Sequence, residues 1–406
     1  MHAKQINAPQ QKSVAGFLLE IRIAMTHTLH RSLLLLMILA IGLVARAFDF
    51  GEDGIYYNIV SSEERTVEVT NNGNNSYFNF NWIDIPATVE HAGHTFKVVG
   101  IGARAFSDCR HLDGITLAEG IKYIGEKSFR RFGGISSFTL PASVDSIGPY
   151  AFAEYKDLKS MTIKGTVSIA EYAFSSCSSM QTLSFKGNVT RIADYAFDHC
   201  EALTSLTIPS GVESIGDFAF LGCYALASFK VSSSNEHYCS VGGVIFDKDK
   251  TVLVAYPNGK AGEYVIPNSV KAIADCAFAG CKLLTALTIP EGVDYIGLSS
   301  FNRCQSLSSL TNLSKVPQTL HEGTFATYGV LHVLPGYKDV YKTDKYWGLF
   351  RIVDDAKMEE TSDAISIMQK EQSTSQRFDL QGRPLKPSSR KQVYVRGGKK
   401  FVTSIP

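Results

Sequence analysis

Several things are missing from this chain of 406 residues, and each absence removes a class of protein. No apolar run reaches the roughly 20 residues that a membrane-spanning helix needs; the run Ser32–Val44 stops at 13. Neither charge is in excess. With 40 basic and 39 acidic residues the net charge is +1, so there is no global basic field for nucleic acid and no acidic disordered tail. Tryptophan is scarce, at 2 residues. No cysteine precedes Cys109, so there is no lipobox cysteine for N-terminal lipidation. No G-x-S-x-G, P-loop, H-E-x-x-H or C-x-x-C pattern occurs, and the carboxylates are scattered rather than paired. An enzyme is therefore not expected, and neither is a cofactor or a metal.

The N-terminal 47 residues read as a targeting segment. Arg31 supplies a basic flank, Ser32–Val44 an apolar core, and Ala45-Arg46-Ala47 a small-residue cleavage site. That combination is a secretory signal peptide, cut at Ala45/Ala47. A buried helix is the other reading, and the polar flanks disfavour it. Met25 sits at the right distance to be the start residue, which would make residues 1–24 an extension. Removing residues 1–47 leaves a mature chain of net charge about −3.

The mature chain is organised by a repeat. The phrase I-G-x-x-A-F recurs with its phenylalanine at Phe106, Phe129, Phe152, Phe174, Phe197, Phe220, Phe278 and Phe301. The steps are 23, 23, 22, 23, 23, 58 and 23 residues, the 58 being one repeat plus a 35-residue insertion. A weaker unit follows at Phe325. Each unit continues with L-x-x-L-x-I, as in Leu203…Leu206…Ile208, often followed by Pro. The alternation predicts a strand with one face inward, and the proline ends its ladder pairing. A shorter V-x-x-I, such as Val212…Ile215, leads into the next unit. The segment A-F-x-x-C-x-x-L has near-helical spacing and predicts a short helical corner. One unit cannot bury its own apolar face, so the units must stack into a solenoid.

The repeat phase assigns the cysteines. Cys109, Cys177, Cys200, Cys223, Cys281 and Cys304 each lie three residues after a repeat phenylalanine, a slot that Phe132 and Tyr155 fill in two other units. A slot shared by Cys, Phe and Tyr is a packing position. Neighbouring slots lie about 4.8 Å apart, so distance permits disulfides, but the aromatic substitutions favour a ladder of thiols. Cys239 and Cys276 fall outside the slot.

The outward strand positions carry hydroxyls: Ser137/Thr139, Ser160/Thr162, Thr182/Ser184, Ser205/Thr207, Thr288 and Thr311, with Ser228/Lys230, Ala286 and Ser309 completing the rows. Two readings stand. Threonine suits strands, and stacked hydroxyls can bond laterally. Alternatively the rows form a broad uncharged binding face rich in donors and acceptors.

These units resemble the BspA-like leucine-rich repeat family of bacterial surface proteins, over about Phe48 to Asp354. Ile85-Pro86…Val89 with Thr95–Val99 resembles that family's β-rich N-terminal cap. Asn235–Tyr238, Gly243–Phe246 and Tyr256-Pro257 resemble its hairpin insert, and Trp347…Phe350…Ile352 its closing cap. The resemblance implies adhesion to host matrix proteins, mucosal surfaces or other bacteria. The division expected is a leader over 1–47, a β-rich cap over 48–97, and a solenoid over 98–353 with its hairpin insert at about 232–266. A linker over 354–376 and a basic β tail over 377–406 follow. In that tail Phe378–Arg383 and Val393–Lys400 read as two strands. The tail resembles type IX sorting segments of Bacteroidota, although it ends Ser-Ile-Pro rather than in lysine; a basic tail on an anionic surface is the alternative.

Three small motifs fall to plainer readings. Gly100-Ile-Gly102-Ala-Arg-Ala105 is the ordinary repeat phrase rather than a dinucleotide loop. Asp247-Lys-Asp249 lacks the glycine and glutamate of a calcium loop, and reads as a hairpin turn. His91-x-x-His94 has no third ligand and reads as turn histidines.

The expected fold is thus an α+β repeat: a right-handed leucine-rich repeat solenoid of short strands and helical corners. The expected function is that of a secreted or cell-surface protein of a Gram-negative bacterium. It would bind a host or bacterial surface macromolecule, protein or glycan, and neither nucleic acid nor a membrane through a span of the mature chain. A structural or self-associating surface component is the alternative.

Overall fold

The computed structural model describes residues 48–73, 77 and 79–357, and the backbone of 392–396 and 399–403. The leader and the run Phe378–Arg383 lie outside the described residues.

Each repeat contributes two strands to two different walls. The V-x-x-I segments form short strands such as Tyr123–Ile124, Ser146–Ile147 and Ser214–Ile215, stacked in parallel. Their isoleucines are in register: Ile101 with Ile124, then Ile147, Ile169, Ile192 and Ile215. The row starts on an N-terminal meander of Phe50–Glu52, Ile55–Ser61 and Thr66–Thr70, whose last strand pairs in parallel with His94–Ile101. Gly125 shows why the phrase favours glycine: a Cβ there would lie 2.7 Å from the Ile101 carbonyl oxygen.

The third wall is not helical, which corrects the α+β expectation. In every unit the residue two before the repeat phenylalanine has positive φ, from Arg104, Lys127 and Tyr150 through to Cys276 and Ser299, at 52–57°. The residue two after it does as well: Asp108, Arg131, Glu154, Ser176, His199 and Arg303 at 53–61°, with Gly222 and Gly280 at 75° and 79°. A helix needs φ near −63° at every position. Two left-handed residues four apart instead build consecutive tight turns. Alternate amides then point sideways: Tyr150, Phe152 and Glu154 donate to the Glu171, Ala173 and Ser175 carbonyls of the next unit at 3.1, 2.7 and 2.7 Å. The intervening amides close the turn, Ala151 donating to Gly148 and Ala153 to Tyr150. The corner is a third laterally bonded wall, and the fold is a β-solenoid. Helix is confined to Lys338–Lys342 and a 3₁₀ turn at Trp347–Leu349 among the described residues.

The repeat phenylalanines stack face to face down the core. Centroid separations are 5.3, 5.2, 5.2, 5.4 and 6.0 Å from Phe106 through Phe220, with planes within 9°. The 58-residue step interrupts the row: no ring pair joins Phe220 to Tyr256 among the described residues, and the buried core divides there into two parts. The insert forms an antiparallel hairpin, Tyr238–Val241 with Val244–Asp247, then Val252–Ala255, and returns Tyr256 to the ring slot 4.9 Å from Phe278. This insert unit is two residues short, since Leu253 to Tyr256 spans three positions where Ile273 to Phe278 spans five. Asn258, buried, repairs the missing contact. It accepts the Gly222 amide at 2.8 Å and donates to the Ala279 carbonyl at 2.8 Å. Trp347 closes the far end over Phe325, its indole N–H donating to the Gln318 carbonyl at 2.8 Å. In the tail, Gln392–Arg396 pairs antiparallel with Lys399–Thr403. The run Val393–Lys400 therefore crosses two strands of one hairpin, not one strand.

All eight cysteines are free. The six slot cysteines are buried, and five have a defined job: the thiols of Cys177, Cys200, Cys223, Cys281 and Cys304 donate to the Phe152, Phe174, Phe197, Tyr256 and Phe278 carbonyls one unit back. Burial pushes the thiols up, to about 11 at Cys109 and about 12 at Cys177. Thiolate is the reactive form. Cys239 and Cys276 are the two that are only part-buried, although burial raises their thiols as well, so native protein with a thiol-reactive dye at pH 8 should label slowly and at those two alone, and at all eight positions in guanidinium. Labelling of fewer than eight in denaturant would reveal disulfides.

Candidate functional site

The L-x-x-L-x-I strands present the outward hydroxyls in register. Ser137, Ser160 and Thr182 form one row, and Thr139, Thr162 and Ser184 the next. Ser205 lies beside Ser228 and Thr207 beside Lys230. Beyond the insert Thr288 pairs with Thr311, and Ala286 with Ser309. The alternate residues Phe138, Leu140, Met161, Ile163, Leu206 and Ile208 point into the core and hold the strands flat against it.

None of the ten outward hydroxyls Ser137, Thr139, Ser160, Thr162, Thr182, Ser184, Ser205, Thr207, Thr288 and Thr311 has a hydrogen-bond partner among the described residues. The lateral bonding considered from sequence is absent for a geometric reason. Parallel strands hold equivalent side chains about 4.8 Å apart, well beyond the roughly 2.8 Å of an O–H···O bond. The hydroxyls are available to a ligand or to water.

The face is not one sheet. Trp82–Ile85 pairs with Gly114–Leu117, Ser137–Leu140 with Ser160–Ile163 and Thr182–Phe185, and Ser205–Ile208 with Ser228–Val231. The two breaks fall before strands that run into Pro141 and Pro209. Proline has no N–H for the preceding carbonyl, so the ladder opens there. The strand ending at Pro290 nevertheless stays paired with Gly262–Val265.

Two features escaped the sequence reading. Trp82, 53% exposed, lies flat over Gly114 at the N-terminal end of the outward face. A Cβ at Gly114 would fall 1.9 Å from its ring, so only glycine admits it. Its indole N–H donates to Asp84 Oδ1 at 2.9 Å, and Thr116 donates to the same oxygen. Those bonds, Thr116's first, hold the Asp84 carboxyl below its ordinary range. The second feature lies on the corner wall. Tyr150, Tyr172, Tyr195 and Phe218 stack at 4.7, 4.7 and 5.1 Å, and the Lys127 ammonium sits 5.2 Å from the Tyr150 ring. The signal was present in the sequence as an aromatic two residues before the repeat phenylalanine in four successive units.

The remaining candidates take structural places. His91 and His94 face each other across a hairpin, and His91 stacks on Phe50 at 3.9 Å. Asp247 Oδ1 accepts the Thr251 and Val252 amides, both at 2.7 Å, in the turn to the next strand. Cys239 donates to the Asp247 carbonyl across its hairpin, and Cys276 lies on the corner with its thiol pushed up to about 12 by burial and Asp217. Among the described residues no group of three or more His, Cys, Asp or Glu is placed to hold a metal. No helix among them is long and apolar enough to cross a membrane.

Stacked short parallel strands built on a leucine-rich period define a leucine-rich repeat solenoid. Residues 75–168, 158–242 and 254–342 match the BspA type leucine rich repeat region in six copies, more than half of the chain, and the chain belongs to that family. Three solved structures are similar. A leucine-rich cell surface protein from Faecalibacterium prausnitzii is 24% identical, over 71% of this chain and 85% of that one, with a TM-score of 0.49. The pneumococcal vaccine antigen PcpA is 19% identical, over 76% and 98%, with a TM-score of 0.47. A leucine-rich repeat protein from Bacteroides ovatus is 23% identical, over 71% and 77%, with a TM-score of 0.48. No curated protein matches the chain.

Replacing Tyr172 by alanine removes two ring stacks from the corner wall. Each such pair contributes about 0.5–1.5 kcal/mol beyond area burial. A urea melt should show a loss of about 1–3 kcal/mol, while Tyr172→Phe should stay near wild type. Equal losses from both variants would mean that the hydroxyl, not the stack, matters.

Proposed function

We propose that this chain is a secreted or cell-surface binding protein, adhesin-like, that recognises a host or bacterial surface macromolecule through its outward strand face. The carrying observation is the set of ten outward hydroxyls that stand in register with no internal partner. A face of this kind is preordered, so a ligand meets donors and acceptors whose freedom is already lost. It is nearly uncharged between Ser137 and Lys230, where Lys230 is the one charged outward strand residue. Recognition then rests on many weak polar contacts rather than on charge steering. Solenoids commonly bind along such extended surfaces.

Export fits the same reading. The leader Ser32–Val44 with Ala45 and Ala47 would deliver the chain across the inner membrane of a Gram-negative bacterium. The basic tail is consistent with type IX sorting in Bacteroidota. No catalytic step, cofactor or metal enters the proposal.

The test is binding of the full chain to immobilised host matrix proteins and mucin. Substituting lysine for Ser160, Thr162, Ser205 and Thr207 should weaken binding by about tenfold or more, about 1.4 kcal/mol. Unchanged binding would remove the face from the account. Defined multimers in light scattering, with no ligand bound, would favour a self-associating surface component instead.

A further inference from the structure

The outward face is interrupted between Thr182–Phe185 and Ser205–Ile208, and the interruption is a groove of about 380 Å³. That volume falls in the range of small-ligand sites, about 300–1,000 Å³. Its floor is apolar: Leu183 is buried, and Phe185 and Pro209 are half-buried. Ser184, Thr207 and Ser210 stand around it, and their hydroxyls have no partner among the described residues. No charged side chain lines it.

We propose that this groove binds a neutral sugar unit of a glycan. The inference rests on the reading above, that the outward face meets the ligand, and names the chemistry it takes at one point.

Pro209 removes one main-chain bond that would otherwise span the groove. One turn earlier, the Ile163 carbonyl accepts the Lys186 amide at 2.8 Å. The equivalent carbonyl, that of Phe185, faces Pro209, which has no N–H to give. No backbone hydrogen bond joins residues 181–187 to 204–210 among the described residues. The Phe185 carbonyl is therefore left without an amide partner from residues 204–210, beside the free hydroxyls and an apolar floor.

Three kinds of occupant can be weighed against that chemistry. An extended peptide inserted as a strand needs two strand spacings, about 9.6 Å. The flanking strands retain Cα pairs within 8 Å, so a third strand does not fit between them. A charged group finds no counter-ion in the lining. A pyranose satisfies both halves of the site. Its hydroxyls both donate and accept, matching serine, threonine and carbonyl groups. Its C–H face packs on the Phe185 ring and Pro209, replacing water over apolar surface.

Calorimetry on the full chain with maltohexaose, cellohexaose, mannohexaose and chitohexaose tests this, with heparin and polysialic acid as acidic comparators. At least one neutral oligosaccharide should bind. Ser210→Arg, which fills the groove from its exposed rim, and Phe185→Ala, which removes the floor, should each weaken that binding at least about tenfold. Should Phe185→Ala fail to fold, Ser210→Arg decides. The pair Lys338→Ala and Asp339→Ala, on the short helix near the far end of the solenoid, should leave sugar affinity within about twofold. No binding by any neutral probe at about 10 mM, binding by the acidic probes alone, or full affinity in Ser210→Arg would each overturn the proposal. The two readings also fail separately. If an S160K/T162K double variant keeps matrix binding while the groove still takes sugar, the extended face is wrong and the groove stands.

Discussion

The stack of repeat phenylalanines is the constraint on which the rest of the structure depends. Their rings lie 5.2–5.4 Å apart through the regular units, close to the spacing of neighbouring strands. A ring can meet the next ring only if each turn returns the chain to the same place. This fixes the period near 23 residues and makes every other slot repeat with it. The isoleucine row, the thiols that donate one unit back and the outward hydroxyls are all consequences of that phase. At the 58-residue step the ring row stops at Phe220 and restarts at Tyr256 against Phe278, and Asn258 bridges the two stretches through the Gly222 amide and the Ala279 carbonyl.

The outward face inherits its order from this core. Because Phe138, Met161 and Leu206 are held inward by packing, Thr139, Thr162 and Thr207 are held outward by the period-two geometry of a strand. Spacing then keeps their hydroxyls too far apart to satisfy each other. A fold that is close-packed within thus leaves unused hydrogen-bonding capacity on one face. The face is divided into panels, with breaks before the strands that run into Pro141 and Pro209, whereas the strand that runs into Pro290 stays paired.

Much of this was legible in the residues. The repeat period, the inward strand residues and the shared Cys/Phe/Tyr slot follow from spacing alone; the proline after a strand did not locate the panel breaks, since pairing opens before the strand ending at Pro209 but holds for the one ending at Pro290. The corners were not legible. A-F-x-x-C-x-x-L has the spacing of a helix and equally that of consecutive turns, and the residues that take positive φ there include lysine, arginine and tyrosine, with glycine at only a few of the positions. Lateral bonding to the next unit supports that conformation, and no local signal carries it. Trp82 over Gly114 and the Tyr150–Phe218 stack depend on register between units, which appears only once the units are aligned slot by slot. Of the candidate face, the residue rows were readable and their lack of internal partners was not.

Deleting one whole period tests the stacking constraint most directly. Removal of residues 175–197 joins Phe174 to Asp198 and keeps every later ring in phase. That variant should retain the β circular dichroism of the parent and a single cooperative melt, whereas removing roughly half a period should abolish both. If the in-phase deletion unfolds as completely as the out-of-phase one, ring stacking at a fixed period is not what holds the solenoid together.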